Sequence, residues 1–251
     1  MGQQLMSSEA PEVSLAVGTA SSRTRASFFF VAHVVLLVIV LVGFAPSFYL
    51  RAAFHHTTKL PLLLYVHGVA LTVWFSLPVV QGWLVQTKRL RLHRRLGYVA
   101  AGYAVVVIVL GMLANLRLIS EIDSPADGEN IVIWGNFFTL AMFAAFVALA
   151  VVFRKNPELH KRLTLLASIS IVGPALARLP RWPVFAGGLE AGRNYAIGGL
   201  LIMFASLITY DVLVRKRPHT VSWVGMVLII VSLAGAVFLG VTGIGFHILH
   251  G

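Results

Sequence analysis

Seven apolar stretches divide this chain, at residues 28–50, 62–85, 96–116, 131–153, 163–179, 195–214 and 221–248. About 20 mostly apolar residues, coiled as a helix, cross the hydrocarbon of a bilayer. The pattern predicts an all-α integral membrane bundle of seven transmembrane helices. The fifth stretch is the weakest, being short and holding Gly173, Pro174 and Arg178. A proline at that depth frees a backbone carbonyl, which a neighbouring helix or water must satisfy. Composition agrees: 58% of the residues are hydrophobic and only 12% are charged. That is about half the charge of a soluble domain, too little to cover a water-exposed globule. Cysteine is absent, which removes disulfides, thiolate metal sites and cysteine nucleophiles.

Residues 1–27 carry no apolar run and are rich in Ser, Glu, Gln, Gly and Ala. They are expected to form a disordered cytoplasmic tail ahead of a seven-helix domain at 28–251. The tail lacks a short apolar core with a small-residue cleavage site, so it does not read as a signal peptide.

Fourteen of the 20 Lys and Arg residues fall in the tail and in the connections after the second, fourth and sixth stretches. Basic loops stay in the cytoplasm. The expectation is a multi-pass protein of a bacterial inner membrane with its N-terminus inside. The net charge of +11 then serves insertion and contact with anionic lipid headgroups. Nucleic acid is not expected as a partner, because the bases flank spans instead of covering one face.

A short pattern recurs in those connections. Leu92-His93-Arg94-Arg95-Leu96 precedes the third stretch and Leu159-His160-Lys161-Arg162-Leu163 the fifth. A weaker copy, Arg215-Lys216-Arg217-Pro218-His219, precedes the seventh. The chain reads as one leading helix and three parallel helical hairpins. Each copy sets a His and several bases at the first turn of a helix, where unpaired N–H groups suit an anion. His93, Arg94, Arg95, His160, Lys161, Arg162 and His219 are therefore candidates for an anion-binding rim. The plainer alternative is interfacial anchoring by snorkelling cations.

Polar groups at membrane depth are costly and mark candidate sites. His33, His67 and His247 lie in or at the ends of spans, and His67, Trp74 and Gln81 stand seven apart on one stripe. Neutral imidazoles on facing helices suit a metal or a b-type haem. The pairs to consider are His67 with His247, and His33 with His93 or His160. The alternative is that each is a hydrogen-bonded structural residue. Asp211 reads as the one carboxylate in or next to a span, spaced i, i+4 from Arg215. That spacing predicts an intrahelical ion pair, or a proton-relay carboxylate. No hydrolase or nucleotide motif is present, so no catalytic residue is assigned and the reading leans away from an enzyme.

Tyr65-Val66-His67-Gly68 with Trp74-Phe75, both L-H-[RK]-R-L strings, Arg178-Leu179-Pro180 and Tyr210-Asp211 resemble a family of uncharacterised bacterial polytopic membrane proteins, over residues 28–220. The H-[KR]-R-L element is also similar to one in membrane proteins that assist cytochrome oxidase assembly. This resemblance implies a helical membrane fold and respiratory-chain proteins as partners. The leading expectation is a His-based role in haem, metal or respiratory-complex biogenesis, with His67 as the intramembrane ligand. The rival is a small-molecule or lipid transporter or binding protein, in which Ser170, Gly173 and Pro174 mark a broken helix lining a cavity and Asp211 couples protons. A third is a non-catalytic scaffold. Small residues four apart, such as Ala236 and Gly240, argue for close helix packing and open the option of self-association.

Overall fold

The computed structural model describes residues 12–54, 59–185, 187–188 and 191–250, with side chains from residue 28 onward. Nine helices and no strand occur among the described residues. They are α1 (Glu12–Phe44), α2 (Leu62–Gln86), α3 (Leu90–Ile119), α4 (Glu129–Val152), α5 (Pro157–Ser170), α6 (Gly173–Leu176), α7 (Gly192–Arg215), α8 (Thr220–Val241) and α9 (Ile244–His250). A π-helical turn at Ala45–Tyr49 extends α1, and a 3₁₀ turn at Leu179–Arg181 follows α6.

Six helices are long and apolar enough to cross a membrane: α1 from Phe28, α2, α3, α4, α7 and α8. The expected fifth span is broken, its two parts bent by 48°. The cause is local: Pro174 cannot donate a backbone hydrogen bond, and α5 stops at Ser170.

The bent pair nevertheless travels the length of the bundle. Arg215, in the last turn of α7, reaches Glu158 in the first turn of α5 at 3.4 Å. The other end of α7 sits beside the end of α6, where a Cβ on Gly192 would lie 2.6 Å from the Ala177 carbonyl oxygen. The α5–α6 pair therefore spans the same distance as α7. One end of the bundle carries the loops after α2, α4 and α7 and is called here the basic end. The opposite end carries the α3–α4 loop and α9.

Two boundaries differ from the sequence reading. α1 begins at Glu12, inside the expected tail; Pro11 precedes it, and no proline follows in the helix to stop it. Residues 1–11 of that tail lie outside the described residues. The last stretch divides at Gly243, whose φ of 71° is left-handed and ends α8.

α5 is the central element. Eight of its 14 residues are buried, from Arg162 to Ser170. The peripheral helices turn Val99, Val105, Ile202, Leu213 and Val231 outward, as lipid-facing positions allow. Because lipid is as apolar as leucine, helices associate through close packing. At Gly43 of α1 an added Cβ would run into the Ala175 carbonyl of α6, and at Gly240 of α8 into the backbone of Ile131 in α4. The hairpins α2–α3 and α4–α5 pack closely, whereas α8 lies chiefly against α4 rather than α7. The third hairpin of the expected repeat is thus splayed open.

Candidate functional site

At the basic end, α5 and α7 carry a buried ion pair. Arg162 and Asp211 are both fully buried. Arg162 donates to Asp211 Oδ1 through Nε at 3.1 Å and through Nη2. Asp211 Oδ2 accepts from the Ser222 hydroxyl at 2.5 Å and from the His219 backbone N–H at 3.2 Å. The remaining face of Arg162 donates to the Glu158 carbonyl at 2.9 Å and carboxylate at 2.7 Å. Glu158 also takes Lys161 at 2.6 Å and Arg215 at 3.4 Å. α5, α7 and the start of α8 are clasped by one network in which both buried charges are compensated. Asp211 pairs across helices with Arg162, not within α7 with Arg215. The i, i+4 spacing put Arg215 on the same side, but the cation on the central helix is the closer partner.

The three loops hold their histidines in different ways. Asn156 caps α5, accepting from Glu158 and Leu159 N–H at 3.1 and 3.3 Å. His160 then points toward α4, its Nδ1–H donating to the Ala150 carbonyl at 2.8 Å. His93, in the first turn of α3, lies with its ring centroid 6.4 Å from that of His160. With its amide nitrogen turned to His93, Gln81 donates to His93 Nδ1 at 2.5 Å and its carbonyl at 3.1 Å, and accepts from Gly97 N–H at 2.9 Å. His219 is itself the cap of α8, with Nδ1 accepting from Val221 N–H at 3.1 Å. Burial, with Arg162 and Arg215 nearby, holds its imidazole below the ordinary value.

These contacts dissolve the rim expected at this end. Arg94 and Arg95 are exposed on α3, while Lys161 and Arg162 are already neutralised by Glu158 and Asp211. Between α3 and α5 His93 and His160 come together, while His219 lies beside Arg162 at the clasp.

In the opposite half of the bundle a cavity of about 610 Å³ opens between α1, α2, α3, α4 and the break in the fifth span. It reaches down α2 from Pro61 to Phe75, about 20 Å at helical rise. Its wall is apolar at Val40, Leu71, Phe75, Val107 and Leu140, and the broken segment supplies Ile171, Pro174 and Ala175. Polar groups interrupt that wall. Asn115 donates to the Ile133 carbonyl at 3.1 Å and accepts from Asn136 at 2.9 Å. His67 faces Gly111, which leaves room for its ring, and its buried Nδ1 has no hydrogen-bond partner. At the mouth stand Arg51, Arg117, Arg178 and Arg181 with Glu121 and Glu129.

The remaining sequence candidates separate. Trp74 is buried, edge-on to Phe143 at 4.7 Å. The stripe of His67, Trp74 and Gln81 thus serves the cavity, the core and the His93 contact in turn. His33 is buried, and its Nδ1–H donates to Phe29 of its own helix at 2.7 Å. His247 is exposed on α9 and does not line the cavity. Glu158 and Ser222 escaped the sequence reading. Glu158 is a second carboxylate beside a span, visible next to His160; Ser222 carries no local signal at all.

Comparison with protein-family models, with curated proteins and with solved structures finds no match.

Proposed function

We propose that this chain binds a small molecule in the cavity and passes it across the membrane. The observation that carries the reading is a cavity of about 610 Å³ built on the broken central span. That size suits a small ligand. Broken helices with freed backbone groups belong beside a water-filled cavity, and transporters place their sites there. The cavity opens toward the opposite end, and at the basic end the Glu158–Arg162–Asp211 clasp ties α5 to α7. In this reading the arrangement is one state of an alternating-access cycle, open toward the α3–α4 loop.

The absence of cysteine makes a direct test simple. Thr139→Cys places a single thiol on the cavity wall. A water-soluble methanethiosulfonate reagent should modify it rapidly from the side of the α3–α4 loop, and more slowly from the other side as the basic end opens. Reaction from one side only would overturn transport. No reaction from either side would overturn the cavity itself.

A further inference from the structure

We infer that the ligand is an anion with an apolar body, its charge held at the cavity mouth by Arg178 and Arg181. This rests on the cavity reading above. Six charged side chains line the cavity, and four of them are arginines. Arg117 is neutralised by Glu121 at 3.0 Å. No carboxylate oxygen of the described residues lies within 4.0 Å of Arg178 or Arg181. Glu129 is the single carboxylate left to oppose them in the lining.

Arg178 is also fixed in place. Its Nη1 donates to the Pro174 carbonyl at 2.8 Å, one turn back in the broken segment. Its guanidinium lies 4.7 Å from the centre of the Phe44 ring. Those contacts hold the plane while leaving Nε and Nη2 without a hydrogen-bonded acceptor among the described residues. A fixed guanidinium with free donors recognises a carboxylate or phosphate oxygen. Below the mouth, Leu64, Leu71, Phe75, Val107 and Leu140 offer only apolar contact. His67 Nδ1 waits there for one polar group on the ligand's body or for a water. An inorganic ion would leave that apolar wall unused. A cation would meet the arginines first.

The experiment compares two methanethiosulfonate reagents on Thr139→Cys in phosphatidylcholine vesicles. One is anionic, the sulfonatoethyl form; the other is cationic, the trimethylammonioethyl form. Each rate is divided by that reagent's rate with 2-mercaptoethanol. The anion should be favoured about tenfold. Arg178→Gln should bring the ratio to within about twofold of unity, and Arg178→Lys, which keeps the charge and guards against misfolding, should retain most of it. Both reagents reacting without preference, or with the cation ahead, would overturn the anion inference while leaving the cavity intact. Neither reagent reacting would overturn the cavity reading instead. Added dodecanoate or benzoate should slow the labelling, and acetate should not. Protection by dodecanoate alone places the source of the ligand in the bilayer, and protection by benzoate places it in water. Equal protection by acetate would overturn the apolar body.

Discussion

Asp211 keeps its charge deep in the protein because both of its oxygens are occupied, by Arg162, Ser222 and the His219 N–H. Removing two charges from water is costly, and only a complete set of partners repays it. The pair is therefore most vulnerable to a one-sided change. Asp211→Asn leaves a buried guanidinium facing a neutral amide, and should cost about 3–5 kcal/mol of stability. The double change Arg162→Leu with Asp211→Leu removes both charges and should recover most of that loss. Unfolding in a graded series of denaturing detergent measures the three proteins. Equal losses in the single and double variants would show that the clasp does not act as a pair. This residue was half legible in advance. A lone carboxylate beside a span announced itself, but its partner lies 49 positions away on another helix. Which of its two neighbouring cations, Lys161 or Arg162, turns inward depends on the rotation of α5.

The contrast between the two L-H-[RK]-R-L copies shows why elements are easier to read than their faces. The strings are nearly identical and open α3 and α5 at the same end. Arg95 is nonetheless exposed, and Arg162 is fully buried. α3 lies at the periphery, while α5 is surrounded. Helix starts are local properties; the choice of inner helix is a property of the whole bundle. The break at Pro174 was legible for the same local reason, and the rival reading set a cavity beside it, but the rest of the cavity wall was not legible, since it draws on five separate segments. The third loop offers an element-scale prediction. His219 caps α8 as a neutral imidazole, held below its usual 6.5 by burial and by Arg162 and Arg215, against the opposing pull of Asp211 and Glu158. Above 6.5 both the folded and unfolded imidazoles are neutral and the cap is intact. As the pH falls through 6.5 the unfolded chain takes up the proton first, so stability is lost. His219→Asn keeps a capping side chain without the titration. The Tm of the parent should fall more between pH 7.5 and 5.5 than that of the variant. Parallel curves would remove His219 from the pH response.

At the scale of the molecule, the number of crossings turns on one bent pair. If α5 and α6 cross together, the bundle has seven spans, and the loop after α8 lies on the same side as the α3–α4 loop. If the pair dips in and returns, there are six, and the two loops part company. The contacts at both ends of α7 decide for crossing: Glu158 with Arg215 at the basic end, and Ala177 beside Gly192 at the other. A cysteine-free chain allows a direct check. Ser120→Cys, Thr242→Cys and Thr87→Cys place single exposed thiols in the α3–α4 loop, after α8 and after α2. A membrane-impermeant maleimide added to intact cells should label Ser120→Cys and Thr242→Cys. Thr87→Cys should react only after lysis, because basic loops are retained inside. If Thr242→Cys instead behaved like Thr87→Cys, the central pair would be a re-entrant loop. The cavity would then be a vestibule on one face of the membrane instead of half of a path through it.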